Sequence, residues 1–206
     1  MAPPDPSQPE KDDWVVRLGG WLFARRTSLP VPIVLLLLLL PSDAPGALWG
    51  SIGTLLIVSG ELLRILGVRQ IGVISRTRSD RLGPLIASGP FAYVRNPLYL
   101  GNIALWVGFA VTAGLPWLAP IVAALLAFVY HAIVRWEEGL LTERLGDRYR
   151  GYMASVPRWL PRFQAISSEQ TAEPFSWTQT LFSERGTLIA ILAGYLLLAV
   201  KFAVQS

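Results

Sequence analysis

Two polar stretches, each bordering an apolar run, carry the residues of this chain that are best suited to chemistry. The first, GPFAYVRNPLYLGN, runs from Gly89 to Asn102, and the second, RWEEGLLTERLGDRYRGYMASVPRWLP, runs from Arg135 to Pro161. Each sets charged and aromatic side chains at the edge of an apolar segment, where a charge is costly unless it is paired or binds a ligand. The two stretches therefore form the candidate functional site.

The first stretch is typical of a helix whose start can bind an anion. Asn96 is a favourable N-cap residue, and Pro97 is a favourable first helical residue. The first backbone N–H groups of such a helix can bind a carboxylate. A well-capped helix at a membrane surface explains these two residues alone, but it does not explain the neighbouring Phe91, Tyr93 and Arg95.

The second stretch continues an apolar helix past its membrane edge. Glu137 and Glu138 follow the apolar run directly. Adjacent side chains on a helix point about 100° apart, so at most one of these glutamates faces a given partner. A carboxylate there suits ribose hydroxyls or an ammonium group. The alternative is an ion pair with Arg135 or another nearby arginine.

Composition predicts an integral membrane protein. The chain of 206 residues is 52% apolar and 16% charged, and its net charge of +4 comes mainly from arginines between apolar runs. That placement favours the inner face of a membrane over nucleic acid. The chain has no cysteine and one histidine. Disulfides, thiolate chemistry and a multi-histidine metal site are therefore excluded, and no metal site is predicted.

Apolar runs predict an all-α bundle with about five transmembrane spans. The spans are Leu29–Leu48, Ala47–Val68, Leu98–Ala113, Pro116–Trp136 and Thr187–Val204. The predicted regions are an arm (1–28), a membrane core (29–164), a cytoplasmic linker (165–186) and an extra C-terminal helix (187–206). Within the arm, Trp14 to Arg26 is either an interfacial helix or a plain charged flank.

The first predicted span can also be interpreted as the apolar core of a signal peptide. Four prolines shorten its apolar core to the length of a signal-peptide core, and Arg25 and Arg26 precede it. No convincing small-residue cleavage site follows, so a retained span is favoured.

Loop charges orient the spans. The gaps 41–46 and 114–115 contain no Lys or Arg, whereas the arm and the segments 67–97 and 135–186 are rich in arginine. Because basic loops stay in the cytoplasm, the N-terminus and both long loops are predicted there, in an inner or plasma membrane, with the C-terminus outside. The short turn at 114–115 makes spans three and four a tight hairpin, which brings the two polar stretches together.

The two stretches also carry a family resemblance. GPFAYVRNPLYLG resembles the G-P-Y-x-Y-x-R-H-P-x-Y-x-G motif of the isoprenylcysteine carboxyl methyltransferase and phospholipid methyltransferase superfamily. EEGLLTERLGDRYRGYMASVPRWLP resembles the same superfamily's tail motif, E-E-x-x-L-x-x-x-F-G-x-x-Y-x-x-Y-x-x-x-V-P-x-x-x-P. The resemblance implies a membrane enzyme that uses S-adenosylmethionine in a cytoplasmic pocket. The pocket would lie between the loop before span three and the helical extension after span four.

Matched by position, the resemblance implies a set of cofactor contacts. They are Arg76, Gly83, Pro84, Leu85, Ile86, Phe91, Asn96, Pro97, Leu98, Tyr99, Glu137 and Glu138. Two positions depart from the family pattern. Asn96 stands where histidine is usual, so no proton-transfer role carries over to it. Ile133 stands where prenylcysteine enzymes place an arginine for the substrate carboxylate. The lipophilic acceptor is therefore either a lipid amine or an isoprenoid or other lipid carboxylate.

The type of acceptor decides whether a base is needed. A carboxylate can accept a methyl group directly, whereas a lipid amine must first lose a proton. His131, one and a half turns above Glu137, is the candidate base. The alternative role of His131 is a hydrogen bond between two helices. Arg135 is the second candidate catalytic residue. Glu61 and Arg64 are expected to neutralise each other, with headgroup binding as the alternative.

Two other classes of protein stay open on sequence alone. One is an NADPH-dependent membrane enzyme of the sterol-reductase type, which usually has more spans, and the other is a non-catalytic membrane scaffold. The bilayer and a lipophilic substrate are the predicted partners, without nucleic acid, and the oligomeric state is left open.

Overall fold

Seven α-helices make up the part of the chain that the computed structural model describes, which is residues 13–72, 85–166 and 174–205. Every regular element in these ranges is helical, which confirms the all-α prediction. Short 3-10 turns at Gly89–Ala92 and Pro116–Leu118 precede α4 and α5. The helices are α1 Trp14–Ala24, α2 Pro30–Leu39, α3 Ala47–Ile71, α4 Pro97–Thr112, α5 Ala119–Leu145, α6 Asp147–Ser155 and α7 Trp177–Gln205.

Three of the described helices are long and apolar enough to cross a membrane, namely α3, α5 with its preceding 3-10 turn, and α7. Large apolar side chains such as Leu55 on α3 and Leu192 on α7 are mostly exposed, as expected of a surface that faces lipid. The chain is therefore a membrane protein. The three helices contain the predicted spans Ala47–Val68, Pro116–Trp136 and Thr187–Val204.

The other two predicted spans are short helices. With a rise of 1.5 Å per residue, α2 is about 15 Å long and α4 about 24 Å, against about 30 Å for a bilayer core. The predicted span Leu29–Leu48 is not one continuous helix. It ends at Leu39, and Leu40 is extended because the residue before a proline avoids the helical region. Length alone thus does not confirm five spans.

Helices α3 and α4 pack through glycines in an antiparallel pair. A Cβ added at Gly60 would lie 2.7 Å from the Gly101 carbonyl oxygen, and one added at Gly101 would lie 2.7 Å from the Gly60 oxygen. Gly53 and Gly108 form the same reciprocal contact two turns away. Small residues at these positions let the two backbones touch, as in many membrane helix pairs.

The helix hairpin α4–α5 defines the two ends of the bundle. At one end lie Ile71, Pro97 and Glu137, and we call this the motif end. At the other lies the turn at Gly114, the turn end, where the Ser42 hydroxyl donates to the Ala113 carbonyl oxygen over 2.6 Å. The core between the two ends includes Ile57, Leu115 and Ile133, all at most 2% exposed.

The two flanking helices are fixed to this hairpin by polar contacts. The predicted arm segment forms the helix α1, which packs on α5, where Asp13 pairs with Arg135 at 2.8 Å. Helix α7 begins at the motif end, where the Phe175 N–H donates to the Arg69 carbonyl oxygen over 2.8 Å. At the turn end, the buried Lys201 ammonium donates to three oxygens, those of the Leu37 carbonyl, the Ser42 hydroxyl and the Ala113 carbonyl.

Candidate active site

The structure joins the two polar stretches at the motif end. The Arg95 backbone N–H donates to the Pro157 carbonyl oxygen over 2.9 Å. The Tyr152 hydroxyl donates to the Phe91 carbonyl oxygen over 2.8 Å. Burial raises the pKa of Tyr152 well above its usual range, so the phenol stays neutral and keeps its proton for this bond. The hairpin argument from sequence therefore places the two motifs correctly as neighbours.

The start of α4 is positioned by Asn96 in an unexpected way. Asn96 occupies the N-cap position as predicted, but its side chain makes no capping hydrogen bond. Its Nδ2 atom donates instead to the Arg158 carbonyl oxygen over 3.2 Å. The predicted capping bond is therefore wrong, because the second motif competes for the amide. Since Pro97 has no N–H, the N–H groups of Leu98 and Tyr99 at this helix start receive no side-chain cap from the described residues.

Glu137 faces α4 through Tyr99. The Tyr99 hydroxyl donates to Glu137 Oε2 over 2.9 Å, and the Tyr99 ring stacks on Tyr130 with centroids 4.7 Å apart. Tyr130 and Glu137 are seven residues apart and so share one face of α5. Arg26, just beyond α1, lies close enough to interact electrostatically with both Tyr99 and Glu137. This carboxylate thus lies beside the uncapped start of α4.

Glu138 points elsewhere, toward two half-buried arginines. Its Oε1 atom accepts from Arg95 Nη1 over 2.8 Å, and its Oε2 atom accepts from Arg158 Nη2 over 2.6 Å. The glutamate is only 6% exposed. The ion-pair alternative weighed from sequence therefore describes Glu138, although its partners are these arginines and not Arg135.

The two candidate catalytic residues lie on the Glu138 side of α5. Arg135 pairs with Asp13 of the arm. His131 is half-buried, and its charged neighbours are Arg135, Arg158 and Glu138. It points about 100° away from Tyr130 around the helix. The structure therefore does not bring His131 onto the face of α5 that carries Tyr130 and Glu137, and its role as a base stays a prediction.

The remaining predicted contacts surround the start of α4 or lie outside the described residues. Ala87 packs with Tyr149 and Tyr152 of α6, and Leu85 lies against the same cluster. Phe91, Leu98 and the loop residue Ile86 are half-buried, and Pro97 is buried. Arg76, Gly83 and Pro84 lie outside the described residues.

An apolar cavity adjoins the first motif on the side of α3 and α4. Its volume is about 440 Å³. Leucine side chains of α3 and α4 line it together with the 3-10 turn of the motif. The residues that matter here are Leu63, Leu66, Leu100, Pro90 and Tyr93. The cavity can therefore hold a hydrocarbon chain next to the motif.

A second polar cluster lies deeper in the bundle around Arg64; its Glu61–Arg64 pair is predicted from sequence, whereas Asn102 and Glu184 are not. The guanidinium donates to Asn102 Oδ1 over 2.5 Å and to Glu184 Oε2 over 2.6 Å, and Arg64 Nε lies 3.4 Å from Glu61 Oε2. Glu184 was assigned to a cytoplasmic linker, but α7 begins ten residues before the predicted span and includes it. The missed signal is S-W-T-Q at residues 176–179. These residues form a capping box, in which Ser176 and Gln179 exchange side-chain to backbone hydrogen bonds.

Sequence comparison relates part of the chain to known proteins. Residues 49–148 match the sequence model of the family described as phospholipid methyltransferase. The chain is 32% identical over 87 residues to a nickel-cobalt-cadmium resistance protein of Alcaligenes xylosoxydans xylosoxydans, covering 42% of this chain and 40% of that protein. It is 29% identical over 97 residues to the phosphatidyl-N-methylethanolamine N-methyltransferase of Saccharomyces cerevisiae, covering 45% of this chain and 47% of that protein.

The matches thus span less than half the length of either relative. No solved structure matches the chain significantly. The family match includes nearly all of α3, all of α4 and α5, and the first motif, whereas the end of the second motif lies beyond it. This part of the chain belongs to the phospholipid methyltransferase family, within the superfamily that its two motifs predicted.

Proposed function

We propose that the chain is an integral-membrane methyltransferase that transfers a methyl group from S-adenosylmethionine to a lipophilic acceptor at the cytoplasmic face. One observation carries the proposal. The two family motifs meet at the motif end, where the Tyr99–Glu137 pair lies beside a helix start that no described side chain caps. A half-buried carboxylate and free N–H groups at the same end of the bundle are the groups that an amino-acid nucleoside requires.

The residues present fit S-adenosylmethionine chemically. The N–H groups of Leu98 and Tyr99 suit the carboxylate of its methionine part, because a helix start favours an anion. Glu137 suits the ribose hydroxyls, and Phe91 offers a flat apolar surface to the adenine ring. When bound, the cofactor supplies a methyl group activated by a sulfonium. The protein's part is to hold that methyl group in line with the acceptor and to keep water away.

The other predicted cofactor contacts take supporting roles in this proposal. Leu85 and Ile86 precede the motif turn and close the site from the loop side. Glu138 holds the first motif against the second through Arg95 and Arg158, and so positions the helix start without touching the cofactor.

The acceptor enters from the lipid side. The apolar cavity beside the first motif suits the hydrocarbon part of a lipid amine or of an isoprenoid or other lipid carboxylate. The basic loops orient the motif end toward the cytoplasm, so the head group of a lipid in the inner leaflet lies at the depth of the site.

Direct binding tests the proposal. Labelled S-adenosylmethionine is added to the purified full chain, and to Glu137→Ala and Glu143→Ala, by equilibrium dialysis. Glu143 is an exposed glutamate of the same helix and is the matched control. We expect the unmutated chain and Glu143→Ala to bind and Glu137→Ala to lose most binding. A lack of binding by the unmutated chain would reject the proposal, and displacement by NADPH would favour a reductase instead.

A further inference from the structure

The cluster around Arg64 holds more negative than positive charge inside the membrane region. Two carboxylates, Glu61 and Glu184, are each 5% exposed and face the single guanidinium of Arg64. Ionised groups within membrane helices are costly unless paired, and such groups commonly mark substrate or ion pathways. With both carboxylates ionised, the cluster is short of one positive charge.

Most of the unused hydrogen-bonding capacity of the cluster is on the acceptor side, since its unused donor among the described residues, Arg64 Nε, already lies 3.4 Å from Glu61 Oε2. The terminal nitrogens of Arg64 already donate to Asn102, Glu184 and Thr187. In contrast, neither side-chain oxygen of Glu61 accepts a hydrogen bond from any described residue. A buried acceptor without a donor is destabilising. A group that donates hydrogen bonds and carries positive charge would therefore complete this cluster.

A continuous chain of side chains connects this cluster to the proposed methyl-transfer site. Asn102 is one helical turn deeper in α4 than Tyr99, and its side-chain amide lies close enough to the Tyr130 phenol to interact with it. Tyr130 stacks on Tyr99, whose hydroxyl reaches Glu137. One helical turn is about 5.4 Å. A head group at the cluster is thus linked through these side chains to a cofactor held at Glu137.

We propose that Glu61, together with Glu184 of α7, forms a subsite for the positively charged amine head group of the methyl acceptor. This inference rests on the proposed function and selects one of its two acceptor classes. A carboxylate head group would meet two carboxylates here and be repelled. Helix α7, which lies outside the segment matched to the family, thereby contributes a specificity-determining residue.

The test compares a cationic and an anionic amphiphile of equal chain length. The full chain is placed in phosphatidylcholine nanodiscs, and its Tm is followed as dodecylammonium or dodecanoate is added, since a ligand of the folded state raises Tm. We expect dodecylammonium to raise the Tm of the unmutated chain and dodecanoate not to. Glu61→Gln and Glu184→Gln should each need at least about tenfold more dodecylammonium.

Three comparisons make the test decisive. Glu143→Gln removes a carboxylate from an exposed position of α5 and should respond like the unmutated chain. Without ligand, Glu61→Gln should melt no lower than the unmutated chain, because it relieves an excess buried charge. A large drop in Tm would show that Glu61 only stabilises the fold and would overturn the inference. Should Glu61→Gln not fold, Glu61→Asp keeps the charge, and it should fold and bind dodecylammonium more weakly.

Binding of S-adenosylmethionine is measured in the same nanodiscs to separate the two proposals. Its absence in the unmutated chain rejects the methyltransferase proposal. Its presence, combined with equal responses to dodecylammonium and dodecanoate or with an unaltered response in Glu61→Gln, rejects the amine subsite alone.

Discussion

Glu137 and Glu138 are adjacent in sequence, yet their carboxylates serve different purposes. The 100° turn between neighbouring helical residues sends Glu137 toward Tyr99 of α4 and Glu138 toward Arg95 and Arg158. The Glu138 carboxylate is ion-paired with two guanidinium groups. Glu137 accepts from a neutral phenol, and so keeps hydrogen-bonding capacity for a ligand.

Removing the phenol of Tyr99 should weaken cofactor binding without unfolding the chain. Tyr99→Phe keeps the ring that stacks on Tyr130 but deletes the donor that orients Glu137. Loss of one charge-assisted hydrogen bond corresponds to roughly tenfold weaker binding of S-adenosylmethionine. Equilibrium dialysis measures this change. Tyr195→Phe removes a phenol that bonds Thr54 far from the site and should bind normally; equal affinity in both variants would contradict the role of Tyr99.

Glu138→Gln should destabilise the fold. The substitution leaves the buried Arg95 guanidinium without its counter-charge, and breaking a buried ion pair from one side costs on the order of 3 kcal/mol. Thermal unfolding in detergent should show a clear drop in Tm. The matched control is Asp147→Asn, which breaks the exposed pair with Arg150 and should change Tm little. Similar Tm values for the two variants would show that Glu138 does not hold the motifs together.

At the scale of helices, the closest packing in the bundle depends on glycine. Gly60→Ala places a methyl group against the Gly101 carbonyl oxygen and should separate α3 from α4. Overpacking of this kind costs about 1–3 kcal/mol, which thermal unfolding can resolve. Gly50→Ala, on the same helix with its nearest neighbour 3.9 Å away, should not lower Tm. A Gly60→Ala chain as stable as Gly50→Ala would contradict the close approach.

The meeting of the two motifs could be predicted from sequence, whereas one side-chain contact and the start of one helix could not. Loop charge and one short turn suffice to bring both motifs to the motif end, because a hairpin leaves no other arrangement. The side chain of Asn96 could not be placed in this way, since its partner is a backbone carbonyl from the second motif. The place of Glu184 in α7 could not be predicted for a different reason. Apolar composition sets only the membrane-embedded part of α7, whereas the helix starts at its capping box.

At the scale of the whole molecule, residues 26–43 run the full length of the α4–α5 hairpin. Arg26 interacts electrostatically with Glu137 at the motif end, and Ser42 bonds to Ala113 at the turn end. Helix α2 is too short to cross a bilayer, but together with the residues on either side of it the segment extends from the depth of Glu137 to the depth of Ala113. Helix α4, which is also short, connects these levels too. We therefore expect the segment containing α2 to cross the membrane as predicted from sequence.

Single cysteines can test both this crossing and the orientation, because the chain has none of its own. Ser28→Cys and Ala44→Cys lie at exposed positions before and after α2, and Glu143→Cys lies beyond the motif end of α5. In intact cells, a membrane-impermeant maleimide should label Ala44→Cys alone. Opening the membrane with mild detergent should then allow all three to react, which controls for accessibility. Labelling of Ser28→Cys and Ala44→Cys from the same face would show that α2 enters the membrane without crossing it. Labelling of Glu143→Cys in intact cells would place the motif end outside, where no cytoplasmic cofactor could reach Glu137.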